Sequence, residues 1–116
     1  MNMDNYQEQI NAKMAEAEKI LGAPLTEREK DEFKYHTVGA IVGIKHIRSL
    51  DSDALKAVLT DKTMGEALRR RIGSGTNPSW VVSIVAETLY FRHEIDEIKL
   101  DYLMEHGYLG EVKIDL

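Results

Sequence analysis

The sequence predicts an all-α protein, a compact bundle of four or five helices. Three observations predict this class. Apolar residues recur at spacings of three and four, capping residues bound several of these segments, and two segments contain runs that are apolar on all sides. These two segments, 27–49 and 78–106, are predicted as long central helices, with two short helices between them and a short extended C-terminal tail. At 116 residues the chain is expected to form a single helical domain, 1–116.

A first helix is predicted from Asp4 or Asn5 to about Leu21. Its apolar residues form one stripe, which comprises Met3, Tyr6, Ile10, Met14, Ala17 and Leu21. Gly22 stands where a helix C-terminus favours glycine, and Pro24 follows it.

The first central helix is predicted to begin at a capping box. In such a box the Thr26 hydroxyl accepts from the Glu29 amide, and the Glu29 carboxylate accepts from the Thr26 amide. The helix is expected to continue to about Ser49. Gly39 and Gly43 lie on one face of its apolar half, although each costs about 1 kcal/mol of helix propensity relative to alanine. We favour close approach of another helix as the reason, and the alternative is a bend at the glycines.

Two short helices are predicted in tandem, at 52–59 and 61–72. Such a pair also fits a helix-turn-helix, in which DNA is contacted mainly by the N-terminal part of the second helix. Here the basic residues Arg69, Arg70 and Arg71 lie at the C-terminal end of the second helix instead. A DNA-binding function is therefore only a lesser alternative.

The second central helix is predicted to begin with Asn77 as its cap and Pro78 at its first position, and to end at about His106, before Gly107. Its inward stripe is expected to comprise Phe91, Ile95, Ile98 and Tyr102. The segment 111–116 alternates with period two. Because no partner strand is predicted elsewhere, this tail is expected to pair with a copy of itself, to dock as an arm, or to fray.

The charge of the chain is unevenly distributed. The net charge is −5, yet residues 33–77 carry eight bases and four acids, so that a basic middle lies between two acidic ends. The acidic total argues against sequence-independent binding to nucleic acid, which needs many phosphate contacts. The absence of cysteine excludes disulfides and thiol catalysis. No signal peptide or bilayer-spanning run is recognised, so we expect a cytoplasmic protein without membrane association.

One segment combines dense positive charge, glycines and a helix N-terminus. Helix N-termini attract anions, and glycine lets the backbone approach a ligand closely. The candidate anion- or phosphate-binding residues are Arg69, Arg70, Arg71, Gly73, Ser74, Gly75, Thr76, Asn77 and Ser79. The segment is not a P-loop, because no lysine follows its glycines. The alternative is structural: the arginines stabilise a helix C-terminus, and the glycines turn the chain.

Catalytic and metal sites are not predicted. His36 and His93 each lie four residues from a glutamate, but neither belongs to a metal-binding helix motif. The serines lack the context of an activated nucleophile. We therefore predict a protein that is not an enzyme and needs no cofactor.

The predicted function is a small helical interaction module, regulator or inhibitor. Two helices that are apolar on all sides offer more apolar surface than one small monomer readily covers, so self-association is expected. The candidate interface residues are Gly39, Gly43, Trp80 and Tyr90. A protein partner is the other candidate. The alternative function is to bind or sequester a phosphate-bearing ligand, such as a nucleotide, through the segment from Arg69 to Ser79.

Overall fold

A computed structural model describes residues 3–73 and 76–116, and these residues form seven α-helices and no β-strand. The helices are α1 (Met3–Leu21), α2 (Glu27–Phe33), α3 (Val38–Ser49), α4 (Ser52–Thr60), α5 (Lys62–Ile72), α6 (Pro78–Phe91) and α7 (Glu97–His106). The all-α class is confirmed, with seven helices in place of four or five. None of these helices is long and apolar enough to cross a bilayer. The chain divides into two units, Met1–Lys45 and His46–Leu116. The single domain stays a prediction.

The first unit contains the expected helix signals. Gly22 has a φ of 72°, and its N–H donates to the Glu18 carbonyl at 2.9 Å, which ends α1 as predicted. The capping box is present, with both hydrogen bonds between Thr26 and Glu29 at 3.1 Å. The Leu25 amide also donates to the Glu18 carboxylate at 2.7 Å.

The first predicted central helix, 27–49, is wrong as one element, because the chain breaks it into α2 and α3. The helix ends at Phe33, whose carbonyl accepts from the His36 amide at 2.9 Å in a turn. Thr37 then restarts the helix, because its hydroxyl accepts from the Ala40 amide at 3.1 Å, as N-capping residues do. A threonine that satisfies a backbone donor with its own side chain competes with continuation of the helix.

The second predicted central helix, 78–106, is likewise wrong, and α6 ends at Phe91. His93 has a φ of 61°, in the left-handed region. The His93 amide donates to the Tyr90 carbonyl at 3.0 Å, and the Glu94 amide donates to the Leu89 carbonyl at 2.9 Å. These two bonds form a Schellman motif, which usually has glycine at the left-handed position.

α7 begins at Glu97, directly after its cap Asp96. The Asp96 carboxylate accepts from the Lys99 amide at 2.8 Å and caps the new helix. The helix ends at His106, with Gly107 as its C-cap, as the sequence predicts.

The break changes which residues of this region are exposed. Of the predicted inward stripe, only Ile95 is buried, whereas Phe91 is 74% exposed, Ile98 is 80% exposed and Tyr102 is 39% exposed. Tyr90, which the sequence places off the stripe, packs half-buried against the core of the second unit. Phe91 lies before the break, about 200° around α6 from the buried Leu89, so it faces away from the core. For Ile98 and Tyr102 the prediction failed because the angular phase of the helix restarts at Asp96, so spacings counted across the break do not describe one face.

The core of the second unit is built mainly from α6 and α4. Its buried members are Ile47, Leu55, Val58, Leu59, Leu68, Val81, Val82, Val85, Ala86, Leu89, Ile95, Leu103 and Val112. The apolar start of α6 is therefore covered within this unit. α4 and α5 meet at Asp61, which ends α4 and caps α5 by accepting from the Met64 amide at 3.2 Å.

The C-terminal tail docks as an arm on the corner between α4 and α5. The Gly110 amide donates to the Val58 carbonyl and the Val112 amide donates to the Leu59 carbonyl, both at 2.9 Å. Val112 is buried. Of the three alternatives expected for this segment, docking as an arm is therefore the one observed in the second unit.

Close backbone approach occurs at Gly65, on α5. A Cβ atom on Gly65 would lie 2.9 Å from both the Gly110 nitrogen and the Val58 oxygen. Gly39, by contrast, is exposed, and a Cβ atom there would meet no atom within 4 Å. The predicted close approach of a helix is therefore wrong at Gly39. Gly43 is buried and lies inside α3, which continues through it without a break.

Two matched glycine substitutions test this packing. Gly65→Ala is expected to lower the free energy of unfolding by about 1–3 kcal/mol, because a methyl group would overlap backbone atoms that cannot rotate away. Gly39→Ala is expected to raise it by roughly 0.5–1 kcal/mol, because alanine favours a helix and the space is open. Urea unfolding followed by circular dichroism measures both. Equal effects of the two substitutions would contradict the docked arm.

A second substitution tests the left-handed break after α6. His93→Gly is expected to stabilise the protein by about 1 kcal/mol, because a residue with a Cβ pays roughly 1–2 kcal/mol in the left-handed conformation and glycine does not. His106→Gly is the control: this residue ends α7 in a helical conformation, so glycine there should bring no gain. Thermal unfolding compares the two, and an unchanged His93→Gly variant would argue for a continuous helix.

Candidate functional site

The three arginines predicted for an anion site occupy the last turn of α5. The side chains of Arg69, Arg70 and Arg71 are all exposed. Gly73 follows as the C-cap with a φ of 121°, and its amide donates to the Arg69 carbonyl at 3.0 Å. Cations in a last turn interact favourably with the helix dipole, which is the structural role weighed above.

The N-terminus of α6 satisfies its own amides. The Asn77 side chain accepts from the Ser79 amide at 2.9 Å. The Asn77 carbonyl accepts from the amides of Trp80 and Val81, at 3.1 and 3.3 Å. Pro78 has no N–H. An anion at this helix start would therefore have to displace existing hydrogen bonds, whereas anion sites usually present unsatisfied amides.

The loop between the two helices also uses its donors locally. The Thr76 amide donates to the Gly73 carbonyl at 3.0 Å, and the Thr76 hydroxyl donates to the Ile72 carbonyl at 3.5 Å. The candidates Ser74 and Gly75 lie outside the described residues. Ligand binding by the segment from Arg69 to Ser79 stays a prediction. The hydrogen bonds of Thr76 stabilise the turn between α5 and α6.

The three arginines have different surroundings. Arg69 lines a cavity of about 210 Å³ between α5, the start of α6 and the tail. The other lining residues are Lys62, Gly65, Glu66, Pro78, Tyr108, Leu109 and Glu111. Two bases and two acids therefore share this cavity, so it lacks the excess positive charge that a phosphate favours.

The positive charge of Arg71 instead affects the pKa of His46. Partial burial lowers the pKa of His46, and the positive charge of Arg71 lowers that pKa further. Both effects disfavour the charged imidazolium. Arg69 thus belongs to the cavity and Arg71 to the surroundings of His46, so the arginines do not form one site.

A second candidate site is an exposed apolar surface at the break between α6 and α7, which we call the α6–α7 surface and define by Phe91, Ile98 and Tyr102. Ile98 and Tyr102 lie one turn apart on the same face of α7. Phe91 and Ile98 are about three-quarters exposed or more. Ile98 and Tyr102 are thus adjacent exposed apolar side chains, and such pairs mark interaction sites more often than isolated side chains do.

The helix break forms a groove beside this surface. Its volume is about 680 Å³, and its lining residues are Tyr90, Phe91, His93, Glu94, Ile95, Asp96 and Lys99. The Tyr90 and Phe91 rings meet edge to face, with centroids 5.7 Å apart. An aromatic wall and a polar rim therefore share one concave site, as in many binding grooves.

Acidic side chains surround the same surface. The segment 93–106 contains five carboxylates and one lysine. The carboxylates are Glu94, Asp96, Glu97, Asp101 and Glu105, all exposed. Glu94 pairs with Lys56 at 3.3 Å, and Glu105 lies 3.6 Å from the His106 imidazole. Within the described ranges, neither Glu97 nor Asp101 has an ion-pair partner.

The candidate interface residues are placed differently from this surface. Gly39 is exposed, Gly43 is buried, and Trp80 and Tyr90 pack half-buried on the core of the second unit. Their part in an interface stays a prediction. The exposure of Phe91 and Ile98 was missed, and an Asp96 cap before Glu97 is the sequence signal that could have revealed it.

Substitution of the arginines tests their separate surroundings. Arg71→Gln is expected to raise the pKa of His46 toward its ordinary value, because one of the two effects that lower it is removed, while burial still lowers it. Arg70→Gln, its neighbour in sequence, should leave this pKa unchanged. Titration of the imidazole protons by NMR measures both, and equal responses would contradict the placement of Arg71.

Across 3–73 and 76–116, no three histidine, aspartate or glutamate side chains are grouped as metal ligands. No family model, curated protein or solved structure matches the chain.

Proposed function

We propose that the protein is a non-enzymatic interaction module, which acts in the cytoplasm by binding a protein partner over the α6–α7 surface. One observation carries this proposal: Phe91, which lines the groove, is 74% exposed, and Ile98, on α7, is 80% exposed. Burial of one such side chain contributes roughly 1.5–3 kcal/mol, and a few side chains of this kind usually dominate a protein interface. A regulatory or inhibitory effect would follow from occupying the surface of the partner.

Self-association is one form that this binding can take. It was expected because the central helices are apolar on all sides. The apolar start of α6 is now accounted for, since Val81, Val82, Val85 and Ala86 are buried in the second unit. An intermolecular contact is now supported instead by the exposed side chains of the α6–α7 surface.

Binding of a phosphate-bearing ligand is a second candidate. It is favoured by the cavity that Arg69 and Lys62 share with the start of α6. It ranks second because Glu66 and Glu111 line the same cavity and the amides of α6 are already bonded. DNA binding ranks third, because α4 and α5 are joined by Asp61 alone, whereas helix-turn-helix motifs use about three or four residues.

The second candidate has its own test. A nucleotide panel is expected to raise the melting temperature if the cavity binds phosphate. Arg69→Ala should then abolish the increase, whereas Arg70→Ala, whose side chain does not line the cavity, should retain it. No shift with any nucleotide would eliminate this function.

Site-specific photo-crosslinking tests the main proposal. A benzoylphenylalanine residue placed at position 91 or 98 is expected to capture a protein in the cells that produce the chain. The control position is Ile20, on α1, which is 58% exposed and apolar but lies outside the α6–α7 surface. The mass of the adduct distinguishes a second copy from another protein. Failure to capture, or equal capture from position 20, would refute the proposal.

A further inference from the structure

We propose that the partner presents a basic amphipathic helix to the α6–α7 surface. This inference rests on the proposed function and adds the chemistry of the partner. Three observations lead to it: an apolar pair on the exposed face of α7, carboxylates on that same face, and a groove at the end of α6.

The apolar pair and the acids share one face of α7. At about 100° per residue, Tyr102 and Glu105 lie within roughly 40° of Ile98 around the helix axis, and Asp101 lies about 60° away. Leu103, on the opposite side, is buried. A partner that covers Ile98 must therefore approach Asp101 and Glu105 as well, so its contact surface needs apolar residues with positive charges beside them.

Two nearby bases, Arg92 and Lys99, are directed away from this face. The Arg92 guanidinium donates to the carbonyls of Leu50 and Arg48, at 2.7 and 2.8 Å, and so is directed toward the end of α3. Lys99 lines the groove, on the side of α7 away from Asp101. Glu105 lies 3.6 Å from the His106 imidazole, whereas Asp101 has no ion-pair partner within the described ranges. Asp101 is thus left available for a positive charge of a partner.

The dimensions fit a helix. α7 has ten residues and is about 15 Å long at 1.5 Å per residue. A bound amphipathic helix presents anchors at i, i+3 or i+4 and i+7, which span about 10 Å. Two of its anchors can cover Ile98 and Tyr102, which are about 6 Å apart along the axis of α7.

A second copy of the chain is a poorer occupant. In a symmetric dimer the same patch faces itself, which would bring Asp101 and Glu105 of both copies together. Like charges at a contact oppose binding, whereas Lys and Arg of a basic helix complement these acids. Charge complementarity therefore selects a basic partner over self-association through this face.

Two model peptides test the inference with the full chain. Each is a labelled amphipathic helix of about 18 residues with the same leucine stripe, and the remaining positions are lysine in one and glutamate in the other. In fluorescence anisotropy the lysine peptide is expected to bind at least about tenfold more tightly than the glutamate peptide, with a difference that shrinks as salt is added.

Matched variants locate the binding. Ile98→Ser is expected to weaken binding of the lysine peptide by about tenfold or more. Ile20→Ser, which removes an equally apolar exposed side chain, should leave binding unchanged. The double variant Asp101→Lys, Glu105→Lys should reverse the preference toward the glutamate peptide. Circular dichroism spectra and melting temperatures establish that each variant is folded.

The outcomes separate this inference from the proposed function. Equal binding of both peptides, no binding of the lysine peptide, or an Ile98→Ser variant that binds like the original chain would each overturn the basic helix. If position 98 still captures a protein by photo-crosslinking, the interaction module stands and only the chemistry assigned to its partner falls. Failure of both experiments removes both proposals.

Discussion

The left-handed residue His93 is the constraint on which the α6–α7 surface depends. A helix that continued through this position would place Ile95 and Ile98, like Phe91, on the face opposite the buried Leu89. The Schellman bonds to Tyr90 and Leu89 stop α6 instead, and Asp96 restarts the helix with a new phase. Ile95 then turns inward, while Phe91 and Ile98 are left exposed.

Opposing local contributions to the free energy of folding determine this break. Holding His93 in the left-handed region costs about 1–2 kcal/mol. The Asp96 cap returns roughly 0.5–2 kcal/mol, and burial of Ile95 adds the hydrophobic gain of a large side chain, about 1.5–3 kcal/mol. These terms favour the break, so the strain at His93 needs no ligand to maintain it. The exposed apolar side chains are the part of the arrangement that a folding argument leaves unexplained, and this is why they point to function.

Much of the fold could be predicted from the sequence where the signal is a single residue with one physical role. The stop at Gly22, the capping box at Thr26, the Asn77 cap and the end at Gly107 are all observed. The prediction of two long helices failed because apolar spacings of three and four residues continue across a short break. In addition, a capping residue such as Thr37 or Asp96 is also tolerated inside a helix.

The candidate site was less accessible to sequence analysis. Positive charge and glycines singled out the corner from Arg69 to Ser79, but local spacing does not reveal that Asn77 already occupies the amides at the start of α6. Close packing was predicted at Gly39, which has open space around it, whereas Gly65, a glycine without such a prediction, is the one on which the tail rests. This contact joins residues far apart in the chain, and it depends on how the tail crosses α4 and α5.

The second unit carries both a basic helix end and an acidic apolar face, which raises the question of whether copies could join head to tail. A contact of that kind would generate a ring or an open filament. α5 is basic at Arg69, Arg70 and Arg71, but Met64 is its one large apolar side chain that is more than a third exposed, so α5 lacks a stripe of anchors. Charge alone contributes mainly to the rate and specificity of association, and apolar anchors supply most of the affinity. α5 therefore lacks the apolar anchors of the basic helix proposed for the acidic face of α7, which favours a different protein as the proposed partner.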